Sequence, residues 1–295
     1  GKPFIKDSDG KSHECGFAII GMGKFGGCEL DFGSDLDIVF VYEGEGQTEG
    51  TGSKRIQNQE YFTKQVTMIY DLAGSVTSAG YAYRIDTDLR PEGKQGVLTL
   101  PLSSYKKYFE ERARLWERQS LTRARFIAGS EKVGKKFMEL AHKIAYEKRF
   151  EYGGPAEMDR MRMKMEKELG KETRKKKDVK VGCGGLVDIE FIAQLLQLKS
   201  GGEFPSLRQT KTADVLREAS RIGLLSIDYY NILKESYDFL RRVINGIRIV
   251  SERSESKLPE TNEKLSKLAF KMGHTSEDEK KNREGFLDDY ARHSR

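Results

Sequence analysis

The sequence is poor in residues and segments that mark several protein classes. Its 295 residues include only 6 prolines and one tryptophan, and no apolar run is long enough to span a bilayer. The scarcity of proline and the lack of a repeat period exclude a collagen-like or proline-rich architecture. No signal-peptide pattern is present either, so we expect no membrane partner and no secretion.

Cysteines and histidines are also few. Cys15, Cys28 and Cys183 form an odd, scattered set, which is typical of reduced thiols in a cytoplasmic protein and not of a disulfide framework. The 4 histidines show no metal-ligand spacing, which argues against a zinc site. Because the chain starts with Gly1 and not with Met, we expect a piece of a longer protein.

What is present is a strongly ionic surface around enough apolar residues for a core. Charged residues make up 33%, and 52 Lys+Arg against 46 Asp+Glu leave a net charge of +6. This modest positive excess fits an anionic ligand such as a nucleotide. The basic segment 160–180 also carries compensating glutamates and no interleaved aromatic residues. We interpret it as a solvated helix face, with docking to an acidic partner surface as the alternative, and we expect no nucleic-acid partner.

Strand-like patterns are confined to the first third of the chain. After 14 polar residues that we expect to be frayed, strands are predicted at 17–20, 35–42, 81–89 and 96–100, with helices around Cys28–Leu30 and over 57–72. From Ser103 onward the periodicity is helical, at 103–120, 131–149, 155–175, 187–199, 211–222, 226–251 and 261–272. We therefore predict an α+β domain with a small mixed sheet over 1–128, followed by an all-α helical bundle over 129–295.

Two acids, Asp35 and Asp37, open the second predicted strand. Side chains at i and i+2 of a strand share one face, so these two carboxylates repel each other unless a cation or proton intervenes. All-oxygen ligands together with phosphate oxygens suit Mg²⁺. The alternative is a solvated strand end with two incidental acids.

A glycine-rich turn lies just upstream of these acids. Gly23, Gly26 and Gly27 permit close approach to a phosphate, Lys24 adds a positive charge, and Ser34 adds a hydroxyl. We expect Gly26 and Gly27 at the N-terminus of a short helix. The turn lacks the Gly-Lys-Ser/Thr ending of a P-loop and the context of a Rossmann fingerprint. A tight turn without ligand is the alternative.

A third carboxylate is expected from the strand that contains Asp86 and Asp88. If this strand pairs beside the first, one of the two acids joins Asp35 and Asp37. Three carboxylates are able to hold two Mg²⁺ ions about 3.5–4 Å apart, as attack of a hydroxyl on a nucleotide phosphorus requires. Arg90 follows, either to contact a triphosphate or to fix the Leu-Arg-Pro turn.

Four motifs in order carry a resemblance to a known family. They are Gly-Met-Gly-Lys-Phe-Gly-Gly-Cys-Glu-Leu-Asp-Phe-Gly-Ser-Asp-Leu-Asp-Ile-Val-Phe (21–40), Asp-Thr-Asp-Leu-Arg-Pro-Glu-Gly (86–93), Trp-Glu-Arg-Gln-Ser-Leu-Thr-Arg-Ala-Arg (116–125) and Gly-Gly-Leu-Val-Asp-Ile-Glu-Phe (184–191). Together they resemble the glutamine-synthetase adenylyltransferase (glutamate-ammonia-ligase adenylyltransferase) family, within the polymerase-β-like nucleotidyltransferases. The resemblance covers residues 17–275.

The resemblance implies Mg²⁺-dependent transfer of AMP from ATP to a tyrosine hydroxyl of glutamine synthetase in nitrogen metabolism. It also implies a PII-type signal protein and glutamine as effectors. By position, Asp35 and Asp37 match the family's metal-binding pair, and Asp86 matches its third acid. Asp88 stands where the family has arginine, so either Asp86 or Asp88 completes the metal site; we favour Asp86.

Family members contain two catalytic halves, one that adds AMP and one that removes it by phosphorolysis. Two motifs favour the adding half, Asp188-Ile189-Glu190-Phe191 and Thr77-Ser78-Ala79-Gly80. At the first of them the removing half tends to read Glu-Ile-Glu-Phe. The removing half is the alternative. A nucleic-acid-extending nucleotidyltransferase and a non-catalytic nucleotide-binding regulatory module are more distant ones.

Two interpretations are open for each of several further residues. Asp188 and Glu190 either favour a helix dipole or bind metal. Arg123 and Arg125 either reach phosphate or form ion pairs. In the same motif, Trp116 and Leu121 are expected in the core.

Overall fold

The computed structural model describes residues 1–7, 9–52, 55–78, 80, 82–147, 154–173 and 176–294. Ala79 of the 77–80 motif, Tyr81 of the third predicted strand and two lysine/arginine positions of the basic segment, 174 and 175, lie outside them. The chain divides into two compact units. The first comprises Gly1–Glu29 and Asp35–Lys148, and the second comprises Leu30–Ser34 and Arg149–Arg295.

The first unit contains all the strands of the described residues. They are β1 (Pro3–Lys6), β2 (Ser12–Glu14), β3 (Phe17–Gly21), β4 (Leu36–Tyr42), β5 (Gln47–Thr48), β6 (Ile85–Asp86), β7 (Thr99–Pro101) and β8 (Arg125–Gly129). Its helices are α1 (Gly23–Gly26), α2 (Asn58–Gly74), α3 (Leu102–Glu111), α4 (Leu115–Leu121) and α5 (Glu131–His142). A 3₁₀ turn at Gly93–Gln95 and a π-helical turn at Lys143–Glu147 complete it.

The main sheet is mixed and is built around β4. β3 pairs antiparallel with both β4 and β8, while β6 and β7 pair parallel with successive parts of β4. A second sheet has the strand order β2-β1-β5. Val39 and Val41 of β4 pack in one cluster with α3 and α5, whereas Ile38 and Phe40 pack with α2. Because both faces of β4 are covered from Ile38 onward, its sequence from Ile38 to Tyr42 is an uninterrupted apolar run.

The second unit is helical. Its helices are α6 (Gly154–Met165), α7 (Leu186–Ser200), α8 (Thr212–Arg221), α9 (Ile227–Ser251), α10 (Asn262–Lys271) and α11 (Glu279–His293). The long helix α9 supplies Leu240, Val243, Ile244 and Ile247 to a core shared with α7, α8, α10 and α11. Within the described residues, no helix is long and apolar enough to cross a membrane.

The mixed α+β class and the helical second part are confirmed, but several details of the prediction are wrong. The predicted boundary between 128 and 129 would cut β8, which pairs with β3 through Ala18 and Gly129. α5 also packs on this sheet, so the first unit continues to Lys148. The N-terminal residues expected to be frayed form β1 and β2, and α11 was not predicted.

Glu43, just after β4, ties the end of that strand to α5. Its side chain is only 9% exposed, and its carboxylate lies 2.7 Å from the Lys132 ammonium and 3.3 Å from His13 Nε2. Burial alone would raise the pKa of Glu43, but the hydrogen bond and charge of Lys132, helped by the Gly16 amide, outweigh it and lower the pKa. The ionised carboxylate therefore stabilises the fold.

We expect Glu43→Gln to reduce the free energy of unfolding by roughly 1 kcal/mol, as for a partly screened ion pair. A carboxyl group whose pKa is lowered by folding stabilises the folded state at pH values above its unfolded-state pKa. This stabilisation is lost as the pH falls through the folded-state pKa. The deficit of the variant should therefore be full at about pH 7 and shrink towards about pH 3. Denaturant unfolding at both pH values checks this, with exposed Glu139→Gln as the control. A deficit that does not change with pH would contradict it.

Candidate active site

A short parallel ladder places two acids side by side. β6 pairs with the beginning of β4 so that Leu36 is opposite Ile85 and Asp37 is opposite Asp86. Opposite residues of parallel neighbours project from the same face of a sheet. Asp37 and Asp86 therefore share a face, and both are half-buried.

Asp35 lies just before β4 and is exposed. The backbone is still paired at this point, since the Leu36 amide donates to the Arg84 carbonyl at 2.8 Å. Being two residues from Asp37 in extended chain, Asp35 belongs to the same side of the strand. We call Asp35, Asp37 and Asp86 the acidic face.

The glycine-rich turn presses against this face. The Met22 amide donates to the Asp37 carbonyl at 2.8 Å, and α1 begins at the next residue. Gly23 has φ +50, and a Cβ there would lie 2.3 Å from Asp37 Oδ2. Only glycine fits here, because any side chain would displace the Asp37 carboxylate.

Gly26 and Gly27 do not stand where the sequence predicted. The short helix is α1 and not Cys28–Leu30, so both glycines lie at its C-terminal end. Their amides are already used, Gly26 N–H by the Met22 carbonyl at 2.7 Å and Gly27 N–H by the Gly23 carbonyl at 3.0 Å. The expected position at a helix N-terminus is therefore wrong, and contact of Gly26 and Gly27 with phosphate stays a prediction. Gly23 and Lys24 begin α1 and are half-buried.

Two arginines brace this turn from within the first unit. Arg125 donates from Nε to the Gly26 carbonyl and from Nη2 to the Phe25 carbonyl, both at 2.9 Å. Arg123 Nη2 lies 3.6 Å from Glu29 Oε2, and both side chains are almost fully buried. The ion-pair interpretation is confirmed for Arg123. Arg125 satisfies carbonyls at the end of α1, a role that sequence reasoning missed.

Arg90 closes the loop that follows β6. Its guanidinium is buried and donates to the Thr87 carbonyl at 2.8 Å, the Thr87 hydroxyl at 2.7 Å, the Gly96 carbonyl at 3.0 Å and the Lys94 carbonyl at 3.2 Å. The structure thus shows the turn-fixing alternative for this arginine. Its contact with a triphosphate stays a prediction.

Asp86 and Asp88 differ in their surroundings. Asp86 Oδ1 accepts a 2.7 Å hydrogen bond from the Asp88 amide, so one oxygen fixes the turn. Asp88 Oδ2 lies 3.4 Å from the Lys94 ammonium. The charge of Asp88 is therefore countered by a nearby lysine. Asp86, and not Asp88, is the register partner of Asp37.

Ser34 belongs to the second unit. Its hydroxyl accepts from Arg248 Nη1 at 3.0 Å, and the same nitrogen donates to the Phe32 carbonyl at 2.7 Å. Arg248 comes from α9 and is buried. This hydroxyl has a structural partner, and its contact with phosphate stays a prediction.

Asp188 is an ion-pair anchor of the second unit. Arg162 of α6 donates from Nε to Asp188 Oδ1 at 2.5 Å and from Nη2 to Oδ2 at 2.9 Å, and also from Nη2 to the Gly182 carbonyl at 2.7 Å. The arginine is only 5% exposed. Asp188 thus holds α6 and the glycine break against α7, an interpretation that neither sequence alternative contained.

The 116–125 motif is also corrected in part. Leu121 is buried, as predicted, but Trp116 is 39% exposed and so is not a core residue. α4 ends at Leu121 and Arg125 begins β8, so the motif joins the end of a helix to the start of a strand.

The acidic face suits Mg²⁺ by donor chemistry. Magnesium is ordinarily held by one or two carboxylates plus substrate phosphates, and not by an all-protein cage. Among the residues that the structure describes, no three His, Cys, Asp or Glu side chains form a ready-made metal centre. Adjacent carboxylates that a bound triphosphate completes are therefore the arrangement that fits.

Comparison with known proteins agrees with this architecture. A family model described as Glutamate-ammonia ligase adenylyltransferase matches residues 2–140, and one described as GlnD PII-uridylyltransferase matches residues 157–295. The two matched regions follow the two units closely.

Two curated relatives share one name. The chain is 33% identical, over 98% of its length, to a bifunctional glutamine synthetase adenylyltransferase/adenylyl-removing enzyme of Thioalkalivibrio sulfidiphilus. It is 37% identical over 88% of its length to the protein of the same name in Streptomyces coelicolor. It spans only 29% and 26% of these relatives' own lengths.

The first unit combines the acidic face with the glycine-rich turn, and a helical unit follows it. These features define the class of protein, which is an α+β nucleotidyltransferase with a second, helical unit. Within that class, the chain belongs to the glutamine synthetase adenylyltransferase family.

We expect Gly23→Ala to lower the free energy of unfolding by about 1–3 kcal/mol beyond the cost of its positive φ, because the new Cβ meets the Asp37 carboxylate. Gly10→Ala is the matched control, since Gly10 has φ +75 and a Cβ at that position would have nothing within 4 Å. Denaturant unfolding of both variants checks this. Equal losses would show that the turn does not press on Asp37.

Asp188→Ala should destabilise the second unit by roughly 2 kcal/mol, because it leaves the buried Arg162 guanidinium without its bidentate partner. Asp159→Ala, at an exposed position of α6, is the control and should be nearly neutral. Thermal and denaturant unfolding measure both. An unchanged midpoint for Asp188→Ala would contradict the anchoring role.

Proposed function

We propose that this chain transfers AMP from ATP to a tyrosine hydroxyl of glutamine synthetase, as one catalytic region of a longer bifunctional enzyme. The observation that carries the proposal is the register of β4 and β6, which pairs Asp37 with Asp86 next to Asp35. The names of the relatives support the substrate, since they are adenylyltransferases of glutamine synthetase.

In this proposal the carboxylates of Asp35, Asp37 and Asp86 would hold Mg²⁺ at the acidic face. The bound ions would neutralise charge on the triphosphate and leave its α-phosphorus open to attack. Gly23 lies against Asp37 and Lys24 is the next residue of α1, and in this proposal both contribute to the pocket for the phosphates. A polymerase-β-like fold for the first unit belongs to the same proposal, supported by the mixed sheet and the position of its acids.

The chain's own groups orient the reactants and move the proton. The tyrosine oxygen forms a bond to the α-phosphorus of ATP, and the bond from that phosphorus to the bridging oxygen breaks, releasing pyrophosphate. The hydroxyl proton passes to Asp86 Oδ2, because Oδ1 is engaged by the Asp88 amide. As in other phosphoryl transfers, most of the acceleration comes from positioning and charge stabilisation.

The proposal also includes the direction of the reaction, which is either addition or removal of AMP. Asp188-Ile189-Glu190-Phe191 supports the AMP-adding activity. The second candidate is phosphorolytic removal, in which phosphate attacks the tyrosine-bound AMP and releases ADP. It is supported by the relatives' names, which include an adenylyl-removing activity.

Partners and location complete the proposal. The match of residues 157–295 to a PII-uridylyltransferase model supports regulation by a PII-type signal protein, with glutamine as a further effector. All three cysteines are free, which suits the cytoplasm.

The test is Asp35→Asn combined with Asp37→Asn. Loss of both charges should reduce AMP transfer by at least about a thousandfold while the unfolding midpoint stays unchanged, because the pair acts on the substrate and not in the core. Label transfer from α-labelled ATP to glutamine synthetase measures the activity. Asp71→Asn with Glu139→Gln, two exposed acids of the same unit, is the charge-matched control.

The same assay separates the alternatives. Label gained by unmodified synthetase supports addition of AMP, and label lost from modified synthetase to phosphate supports removal. Label on RNA would favour a nucleic-acid-extending enzyme, and no transfer in any arm would favour a regulatory module. Full activity of the double variant would refute the assignment of the acidic face.

A further inference from the structure

The first unit has a cavity of about 530 Å³ that contains none of the acidic face. It lies between the 3₁₀ turn at Gly93–Gln95 and the junction of α3 with α4. Its lining residues are Glu92, Gly93, Gln95, Tyr108, Arg112, Arg114, Trp116 and Glu117. This volume is within the range of small-molecule sites, about 300–1,000 Å³.

The aromatic wall of the cavity is held firmly. Tyr108 donates its hydroxyl to Glu117 Oε1 at 2.5 Å, and the Arg114 amide donates to Glu117 Oε2 at 2.8 Å. Burial and the neighbouring Glu117 raise the pKa of Tyr108, so its phenol keeps the donated proton. Both oxygens of the buried Glu117 are thus used to fix the wall. Trp116, one residue away, is 39% exposed and is the only tryptophan of the chain.

The accessible charge of the cavity is positive. Arg112 Nη1 is paired with Glu92 Oε1 at 3.0 Å. The Arg114 side chain is exposed and has no ion pair within the described part of the chain. Arg114 and Trp116 both line the cavity. A planar guanidinium and an exposed indole in one cavity suit a ligand with a flat body and a negative group, because an indole stacks on the body and a guanidinium binds the anion.

The opposite wall is preorganised. The Arg90 guanidinium clasps the loop from Thr87 to Gly96, which includes Glu92. Glu92 has φ +64, a left-handed conformation that a residue with a side chain adopts at a cost of about 1 kcal/mol or more. Strained backbone of this kind is concentrated at ligand sites, where surrounding contacts enforce it.

We propose that this cavity is a second small-molecule site, which binds a planar organic anion of mononucleotide size through Trp116 stacking and the Arg114 guanidinium. The negative group is a phosphate or a carboxylate. The site is separate from the acidic face and does not depend on the proposed transfer reaction.

The lone tryptophan makes the test direct, since its fluorescence reports on this cavity alone. Titration of the protein with AMP, as a planar phosphate, and with benzoate, as a planar carboxylate, should give a saturable change with at least one of them. Adenosine and inorganic phosphate, each lacking one half of the recognised chemistry, should bind at least about tenfold more weakly.

Arg114→Gln should weaken binding of the active probe by about tenfold, and Arg114→Lys by less, because lysine keeps the charge but not the planar fork. Arg217→Gln, an exposed arginine of α8, is the matched control and should titrate like the unchanged protein. A response to AMP identifies the phosphate source, and one to benzoate alone identifies the carboxylate source. Absence of any saturable change, equal affinity for adenosine, or an unchanged affinity in Arg114→Gln would overturn the proposal.

Discussion

The first unit depends on the parallel pairing of β6 with the beginning of β4. Only two residues on each strand form this ladder, yet it sets Asp86 beside Asp37. A shift of one residue would turn Asp86 to the other face of the sheet, because side chains alternate along a strand. Arg90 secures the register on one side by closing the following loop, and the glycine turn secures it on the other by contacting Asp37.

Three arginines of the first unit have partners within the fold itself. Arg123 forms an ion pair with the buried Glu29. Arg125 donates hydrogen bonds to carbonyls at the end of α1, and Arg90 donates to carbonyls of its own loop. A buried guanidinium with carbonyl partners is satisfied, and releasing it to a ligand would leave those partners unpaired. In the proposed reaction, the charge of the triphosphate is therefore met mainly at the acidic face and by Lys24, and the arginines keep the turn rigid. The loop that Arg90 closes also lines the cavity that contains Trp116.

Local pattern predicted the elements that are defined by their own sequence. The apolar run of β4, the periodicity of α2 and the Asp-x-Asp spacing were all readable from the sequence. The convergence of Asp37 with Asp86 followed once the two strands were assumed to pair, while the parallel direction of that pairing was not predicted. β8 was missed because it forms by pairing with β3, which lies about a hundred residues earlier in the chain. Ser34 was assigned by proximity to Asp35, but its partner Arg248 is 214 residues away, which no local signal reveals. Trp116 was placed in the core by residue type, although a cavity leaves it exposed.

In the proposed function, Asp35, Asp37 and Asp86 together bind a divalent metal ion that also binds the phosphates of ATP. Crystals soaked with Mn²⁺ and a non-hydrolysable ATP analogue test it most directly, since manganese is located by its anomalous scattering. We expect anomalous density within coordination distance of carboxylate oxygens from both β4 and β6 and of phosphate oxygens of the nucleotide. Bound nucleotide with no metal between these side chains, or with metal held elsewhere, would contradict it.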